Sequence, residues 1–337
     1  MKFRFLVIFF LFFHCSGLHN QNIQAKDRLP EWVHEPHSSF PESMYLVGIG
    51  TGDTRSDAEN NAIGSIAKIF QAKVNVDETL LEQYLETNES TQFTSHMLNK
   101  TRVASQQQIK NIKIAESFFY EDEGLYYVLA YLDRMETEEL YRTDIESNHA
   151  KVTDYYKNFQ KSHDKLVQYA FLQKAIDLMH INEILQAQYN IINVTGEAIE
   201  PPVSLSELEK QRLALLNRIS VVLSVSGDQQ QEITTYLKET IGKTGFKIVE
   251  SDADFSFNSQ FELTPADLNR DNITGYNWRL SIEVHDYVNQ FTLKTFTLKN
   301  RTMGISKDQA IAKIMTSVQK ELNNTFYNQF IDYIRKL

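Results

Sequence analysis

Hydrophobic and polar positions change period several times along this chain, and each change predicts an element. The first stretch has no period at all. Residues 5–13, FLVIFFLFF, form an unbroken apolar run, preceded by Lys2 and Arg4 and followed by His14-Cys15-Ser16-Gly17. A charged start, a short apolar segment and a polar exit are the layout of a secretory signal peptide. The run is about half the roughly 20 residues that a membrane-spanning helix needs. Residues 1–17 are therefore read as a signal peptide, and the mostly polar stretch 18–29 as a flexible tether.

From Pro30 the pattern is that of a folded unit running to Arg134. Tyr45 to Gly50 is an apolar strand, and Thr51-Gly52-Asp53 turns the chain. Ser56 with Glu59 three residues on reads as a capping box that starts a helix. Ala58, Ala62, Ile66, Ile69 and Phe70 follow at helical spacing, with small residues where a helix closes on a sheet. Residues 73–77 alternate like a strand edge, and 78–108 are polar, with helical spacing at first. Two apolar runs, 112–120 and 125–132, flank Glu121-Asp122-Glu123-Gly124 and predict a β-hairpin with glycine at the left-handed position.

Residues 135–193 carry a stripe through Tyr155, Phe159, Leu166, Tyr169, Ala170, Ile176 and Met179 with charges between, and neither Pro nor Gly. The reading is a long helical hairpin that turns near Met179 to Ile181. Residues 194–203, containing Gly196 and Pro201-Pro202, are a linker. The last unit, 204–337, opens on a short helix capped by Ser204 and Glu207. It then shows strand, helix, four strands and a final helix, capped by Ser306 and striped by Ala310, Ile314, Val318, Leu322, Phe326, Phe330 and Ile334. The fold class is α+β: two α+β sandwich domains, helices on one sheet face, joined by a long helical hairpin.

Charge and cysteine content narrow the chemistry. The chain of 337 residues has a formal net charge of −10, and cleavage of the signal removes two cations. That balance argues against nucleic acid and anionic lipid surfaces as main partners. Cys15 is the single cysteine, so the folded part has no disulfide and no thiol chemistry. Two fates stay open for it. Cys15 sits where a bacterial lipoprotein signal places the cysteine that is acylated and becomes the first residue. Ordinary cleavage after Gly17 or Ala25 would instead discard it.

No catalytic or metal constellation is recognisable, and no cofactor is expected. Gly48-x-Gly50-x-Gly52 lies between a strand and a helix, where phosphates bind. The dinucleotide fingerprint, however, wants glycine where Asp53 stands, and a Walker loop would end in Gly-Lys-Ser/Thr. The favoured reading is a tight strand-to-helix turn with close backbone packing. His34 and His37 lack an indicated third ligand, and there is no Gly-x-Ser-x-Gly elbow.

Residues 30–134 resemble the lipoprotein-20 family of bacterial envelope lipoproteins. The resemblance rests on Pro30-Glu31-Trp32, the strand and turn from Tyr45 to Gly52, the Ala-rich helix from Asp57, and the closing run from Tyr126 to Arg134. It implies secretion or lipidation, and carries over no catalytic residue. The region from Ile219 is similar, at the level of fold, to the amino-terminal domain of TolB and to the curli-secretion lipoprotein. Together these imply a non-enzymatic envelope protein facing the periplasm, held at the outer membrane if Cys15 is acylated. Its expected partners are other envelope proteins and, through the lipid, the membrane. The hairpin at 136–190 is the first candidate interface. The alternative is a periplasmic small-ligand module with Gly48, Gly50, Gly52 and Asp53 at a pocket lip. A third reading, an enzyme, needs carboxylates brought together only in three dimensions.

Overall fold

The computed structural model describes residues 28–70, 109–266 and 273–337. The expected signal peptide, Cys15, nearly all of the tether, the strand at 73–77 and the segment 78–108 lie outside the described residues. The fold is mixed α+β with two sheets.

The first sheet has three antiparallel strands in the order β1-β3-β2: β1 Tyr45–Gly52, β2 Ile112–Tyr120 and β3 Leu125–Asp133. The expected hairpin is present, with Tyr120 opposite Leu125 and Gly124 at φ +67°. Helix α1, residues 55–70, covers one sheet face with Ala58, Ala62, Ile66 and Phe70, all buried. Its cap differs from the expectation. Thr54, not Ser56, is the N-cap: its Oγ1 accepts the Asp57 amide at 3.1 Å, and its hydroxyl donates to Asp57 Oδ2 at 2.7 Å. Glu59 is drawn instead into an i,i+4 ion pair with Arg55, so the helix is capped two residues earlier.

The helical hairpin consists of α2, Arg134–Lys161, and α3, Lys165–Ile192. It turns at residues 162–164, not near Met179. Asp164 makes the turn by accepting the amides of Leu166 and Val167 at 2.8 and 3.1 Å. Met179 and His180 lie buried inside α3.

The last unit runs α4 Leu205–Leu216, β4 Ser220–Ser226, α5 Glu232–Gly242, β5 Lys247–Ile248, β6 Phe255–Pro265, β7 Thr274–Asp286, β8 Phe291–Gly304, α6 Lys307–Glu321 and α7 Tyr327–Arg335. Its sheet order is β5-β4-β6-β7-β8. The strand β4 runs parallel to β5 and β6, and the remaining pairs are antiparallel. The expected final helix is interrupted by a π turn, Leu322–Phe326. Its stripe recurs at every fourth residue, which drifts around a 3.6-residue helix, and one wide turn returns the stripe to the core. All seven stripe residues are buried.

The hairpin is not a separate body between two domains. The C-terminal part of α3, with Tyr189, Ile191 and Ile192, joins Tyr141 and Ile145 of α2 in the first core. The N-terminal part, from Leu166 to Met179, lies in the second core with β6, β7, α6 and α7. Polar ties hold both ends. The Arg134 guanidinium donates to the carbonyls of Ile191, Ile192 and Glu42 at 2.8, 3.3 and 2.9 Å, placing a cation on the C-terminus of α3. At the other end Lys165 Nζ donates to Asp254 Oδ1 at 2.7 Å and to the Arg218 carbonyl at 2.6 Å. Asp254 also accepts the amide and hydroxyl of Ser220, at 2.8 and 2.9 Å. Burial works against its carboxylate, yet Lys165 and Ser220 outweigh burial and hold its pKa below the ordinary range. Midway along α3, Asp177 Oδ2 pairs with Arg335 Nη2 of α7 at 2.8 Å, and Gln173 Nε2 donates to Asp177 Oδ1 at 2.9 Å. Here burial dominates and pushes the Asp177 carboxyl up, despite the pull of Arg335.

These two carboxylates predict deficits that close in different pH windows as the solution is acidified. Arg335→Met leaves Asp177 charged and unpaired at neutral pH, at a cost of about 3 kcal/mol. That deficit shrinks as pH falls through the raised Asp177 pKa, because protonation removes the unpaired charge. Asp254→Asn also destabilises at neutral pH. Its difference from the wild type closes only at lower pH, below the ordinary carboxylate range, where the wild-type carboxyl takes up its proton and loses its contribution. Urea unfolding of the wild type and both variants across pH 2–7 checks the two windows.

Candidate functional site

The glycines singled out in the sequence occupy one face of β1 at period two, and α1 sits directly on that face. A Cβ on Gly48 would lie 2.4 Å from the Ala62 carbonyl oxygen. On Gly50 it would lie 2.1 Å from the Ala62 nitrogen and 2.2 Å from the Ala58 oxygen, and on Gly52 2.7 Å from the Ala58 nitrogen. Paired with Ala58 and Ala62 one turn apart, they let helix and strand backbones meet. Side chains of α1 also complete the hydrogen bonding of β1: Ser65 Oγ donates to the Ile49 carbonyl at 3.0 Å and Asn61 Nδ2 to the Thr51 carbonyl at 2.8 Å. The faces of Gly48, Gly50 and Gly52 are thus filled by protein, which is the close-packing role. Asp53 is exposed in the turn beyond them, and Thr54 and Asp57 occupy the helix start where a phosphate would bind.

Other chemistry-bearing residues are similarly occupied. His37 Nδ1 lies 3.2 Å from the Phe40 carbonyl of its own turn, and buried His180 lies 3.1 Å from Glu183 Oε2. Among the described residues, no three His, Cys, Asp or Glu side chains gather as a metal site would require. No described helix is long and apolar enough to cross a membrane. The apolar stripe offered as an interface on the hairpin is largely turned into the two cores: Leu166, Tyr169, Ala170, Ile176 and Met179 are buried, while Tyr155 and Phe159 pack partly buried against them.

The surface that the fold presents is the outer face of the five-stranded sheet. Phe255, Phe257 and Phe261 of β6, and Trp278, Leu280, Ile282 and Val284 of β7, point to the helices. The alternate positions point away, and the register aligns them in rows. One row is Ser224, Asn258, Glu283 and Thr295, and the next is Ser226, Gln260, Ser281 and Thr297. All of these but Thr297 line a shallow concavity of about 490 Å³. Ser224 Oγ donates to Asn258 Oδ1 at 2.9 Å and Ser226 Oγ to the Ser259 carbonyl at 3.1 Å, so part of its polarity is satisfied internally. The chemistry is neutral hydroxyls and amides with the Glu283 carboxylate, suited to polar contact. The following row is charged: Glu262, Arg279 and Lys299, with Arg301 beyond it on β8.

Sequence reasoning passed over this face. Its signal lay in the residues that alternate with the phenylalanines of β6. The neighbouring serines of β4 could not be placed without knowing that β4 pairs with β6.

Comparison with known proteins bears on the first unit most directly. Residues 30–133 match the family model described as LPP20 lipoprotein. No curated protein matches the chain. Among solved structures, the secreted protein HP1454 from Helicobacter pylori is similar at 12% identity and a TM-score of 0.41, over 83% of this chain and 98% of that one. The rare lipoprotein B from Shewanella oneidensis is similar at 16% identity and a TM-score of 0.24, over 35% of this chain and 91% of that one. A minor lipoprotein from Acinetobacter baumannii is similar at 14% identity and a TM-score of 0.23, over 35% and 90%. The family match supports a bacterial envelope lipoprotein.

If the glycines of β1 serve close packing, Gly50→Ala costs about 3 kcal/mol through overpacking. Gly64, inside α1 with nothing within 4 Å of an added Cβ, is the matched control. Gly64→Ala gains about 0.5–1 kcal/mol from helix propensity. Thermal or urea unfolding of the two variants beside the wild type checks the pair.

Proposed function

We infer that this chain is a non-enzymatic scaffold or assembly component of the bacterial cell envelope, facing the periplasm and held at the outer membrane through an acylated Cys15. The observation that carries the reading is the match of residues 30–133 to a lipoprotein family, in a chain whose only cysteine follows a signal-like apolar run. The architecture is in keeping with it. Two cores share one long helix, so the body is braced along its length. Among the described residues it presents a polar sheet face. Its partners are other envelope proteins.

A small-ligand module is the second reading, favoured by one observation, the concavity lined by Ser224, Ser226, Asn258, Gln260, Ser281, Glu283 and Thr295. It moves the candidate pocket from the turn at Gly48–Asp53 to the other unit. A ligand held there well above its dissociation constant raises the unfolding temperature, and Glu283→Gln abolishes the rise for a cationic ligand.

The anchoring claim is tested by the intact mass and N-terminus of the protein taken from its own membranes, beside a Cys15→Ala variant. The expected wild-type chain begins at an acylated Cys15 and sediments with outer membranes, while the variant leaves that fraction. An unmodified N-terminus following Gly17 or Ala25 would overturn it.

A further inference from the structure

We propose that the edge strand β8 is a docking strand for an acidic, extended segment of a partner protein, which adds to the sheet beside Thr295–Arg301. The proposal deepens the scaffold reading by naming the recognition surface and the chemistry it takes.

β8 is the last strand in the order β5-β4-β6-β7-β8, and it is 14 residues long. Which of its backbone groups face outward follows from the ladder. The Ala266 amide donates to the Gly275 carbonyl at 2.8 Å, continuing the β6–β7 register, so odd-numbered residues of β7 bond toward β6. Even-numbered ones then bond toward β8, where Trp278, Leu280 and Ile282 stand opposite Asn300, Leu298 and Phe296. The odd-numbered residues Thr295, Thr297, Lys299 and Arg301 therefore aim their amides and carbonyls at the edge. Side-chain bonds agree with this assignment. The Arg301 amide donates to Asn300 Oδ1 at 2.8 Å, and the Met303 carbonyl accepts Lys313 Nζ at 3.3 Å. At the other end Tyr333 Oη donates to the Leu293 carbonyl at 3.2 Å. Both ends of the edge are closed by side chains, and no other described strand pairs with the stretch between.

Charge selects the occupant. Lys299 stands directly opposite Arg279 on the exposed face, and Arg301 lies two residues further along the same face. Arg279 has the Glu262 carboxylate opposite it on β6, whereas Lys299 faces only the Arg279 cation in that row, and an incoming carboxylate on the edge side would complete the row with alternating charge. A chain of net charge −10 thus concentrates cations along one edge. A second copy of β8 would set these cations against themselves, which disfavours self-pairing, as cationic edges do in other sheets. An extended segment with carboxylates at i and i+2 places them beside Lys299 and Arg301, while its backbone takes the open amides and carbonyls.

The probe is the capped heptapeptide Glu-Val-Glu-Val-Thr-Val-Thr, beside its Gln-for-Glu analogue, titrated into the purified full chain and followed by amide exchange and affinity. The expected result is saturable binding that newly protects the amides of Thr295, Thr297 and Lys299. The Gln analogue should bind about fivefold more weakly at low salt. Thr297→Pro should abolish binding while keeping the fold, because that amide faces the edge and not β7. The double variant Lys299→Glu, Arg301→Glu keeps the test decisive should the proline variant unfold, and it should reverse the preference toward the Gln peptide. Absence of binding up to millimolar peptide overturns the proposal. So do unchanged binding by these variants, equal binding of both peptides, or edge amides already protected in the free chain. None of those results touches the anchoring at Cys15, which is read from the mass of the native protein.

Discussion

Helix α3 is the constraint on which the rest of the structure depends. Its 28 residues span about 42 Å. Its first half is buried in the core of the second unit, its second half with Tyr141 and Ile145 in the core of the first. One helix therefore contributes buried residues to both cores. The polar contacts along it are placed accordingly: Arg134 on its last carbonyls, Asp177 to Arg335 at its middle, and Lys165 to Asp254 at its start.

The two cores solve the same packing problem differently. In the first, Gly48, Gly50 and Gly52 face Ala58 and Ala62, and backbone meets backbone. In the second, Phe257, Phe296, Phe326 and Phe330 meet edge to face with ring centres 5.1–6.3 Å apart, and the helices stand off the sheet on aromatic side chains. Helices cover one side of the second sheet and leave the other polar. This arrangement leaves a polar sheet face and, at Lys299 and Arg301, cations along the edge strand.

Much of the architecture was legible in the residues. The N-cap serines at 204 and 306, the Gly124 hairpin, the alternating phenylalanines of β6 and the stripe of the last helix all appear where local pattern put them. The misses share a cause. Thr54 displaced Ser56 as a cap, and Asp164 turned the hairpin where neither Pro nor Gly marks it. Ser, Thr and Asp are weak signals in a sequence, since each also sits comfortably on an exposed helix face, and only hydrogen-bond geometry separates the two uses. The glycine motif was read with both a packing and a ligand role, and the Cβ distances at Gly48 and Gly50 favour the first.

By itself the sequence determined the signal-like start with its single Cys15, the α+β class, the element order and the face that each amphipathic element buries, because these follow from local periodicity and composition. Only the tertiary structure decided that α3 serves two cores, that β4 lies between β5 and β6, and that Arg279 and Lys299 stand opposite each other at an open edge. Those facts depend on pairings between residues distant in the chain. Periodicity tells a strand which face is apolar, but many neighbours and registers satisfy that requirement equally, and the choice among them belongs to the packing of the whole molecule.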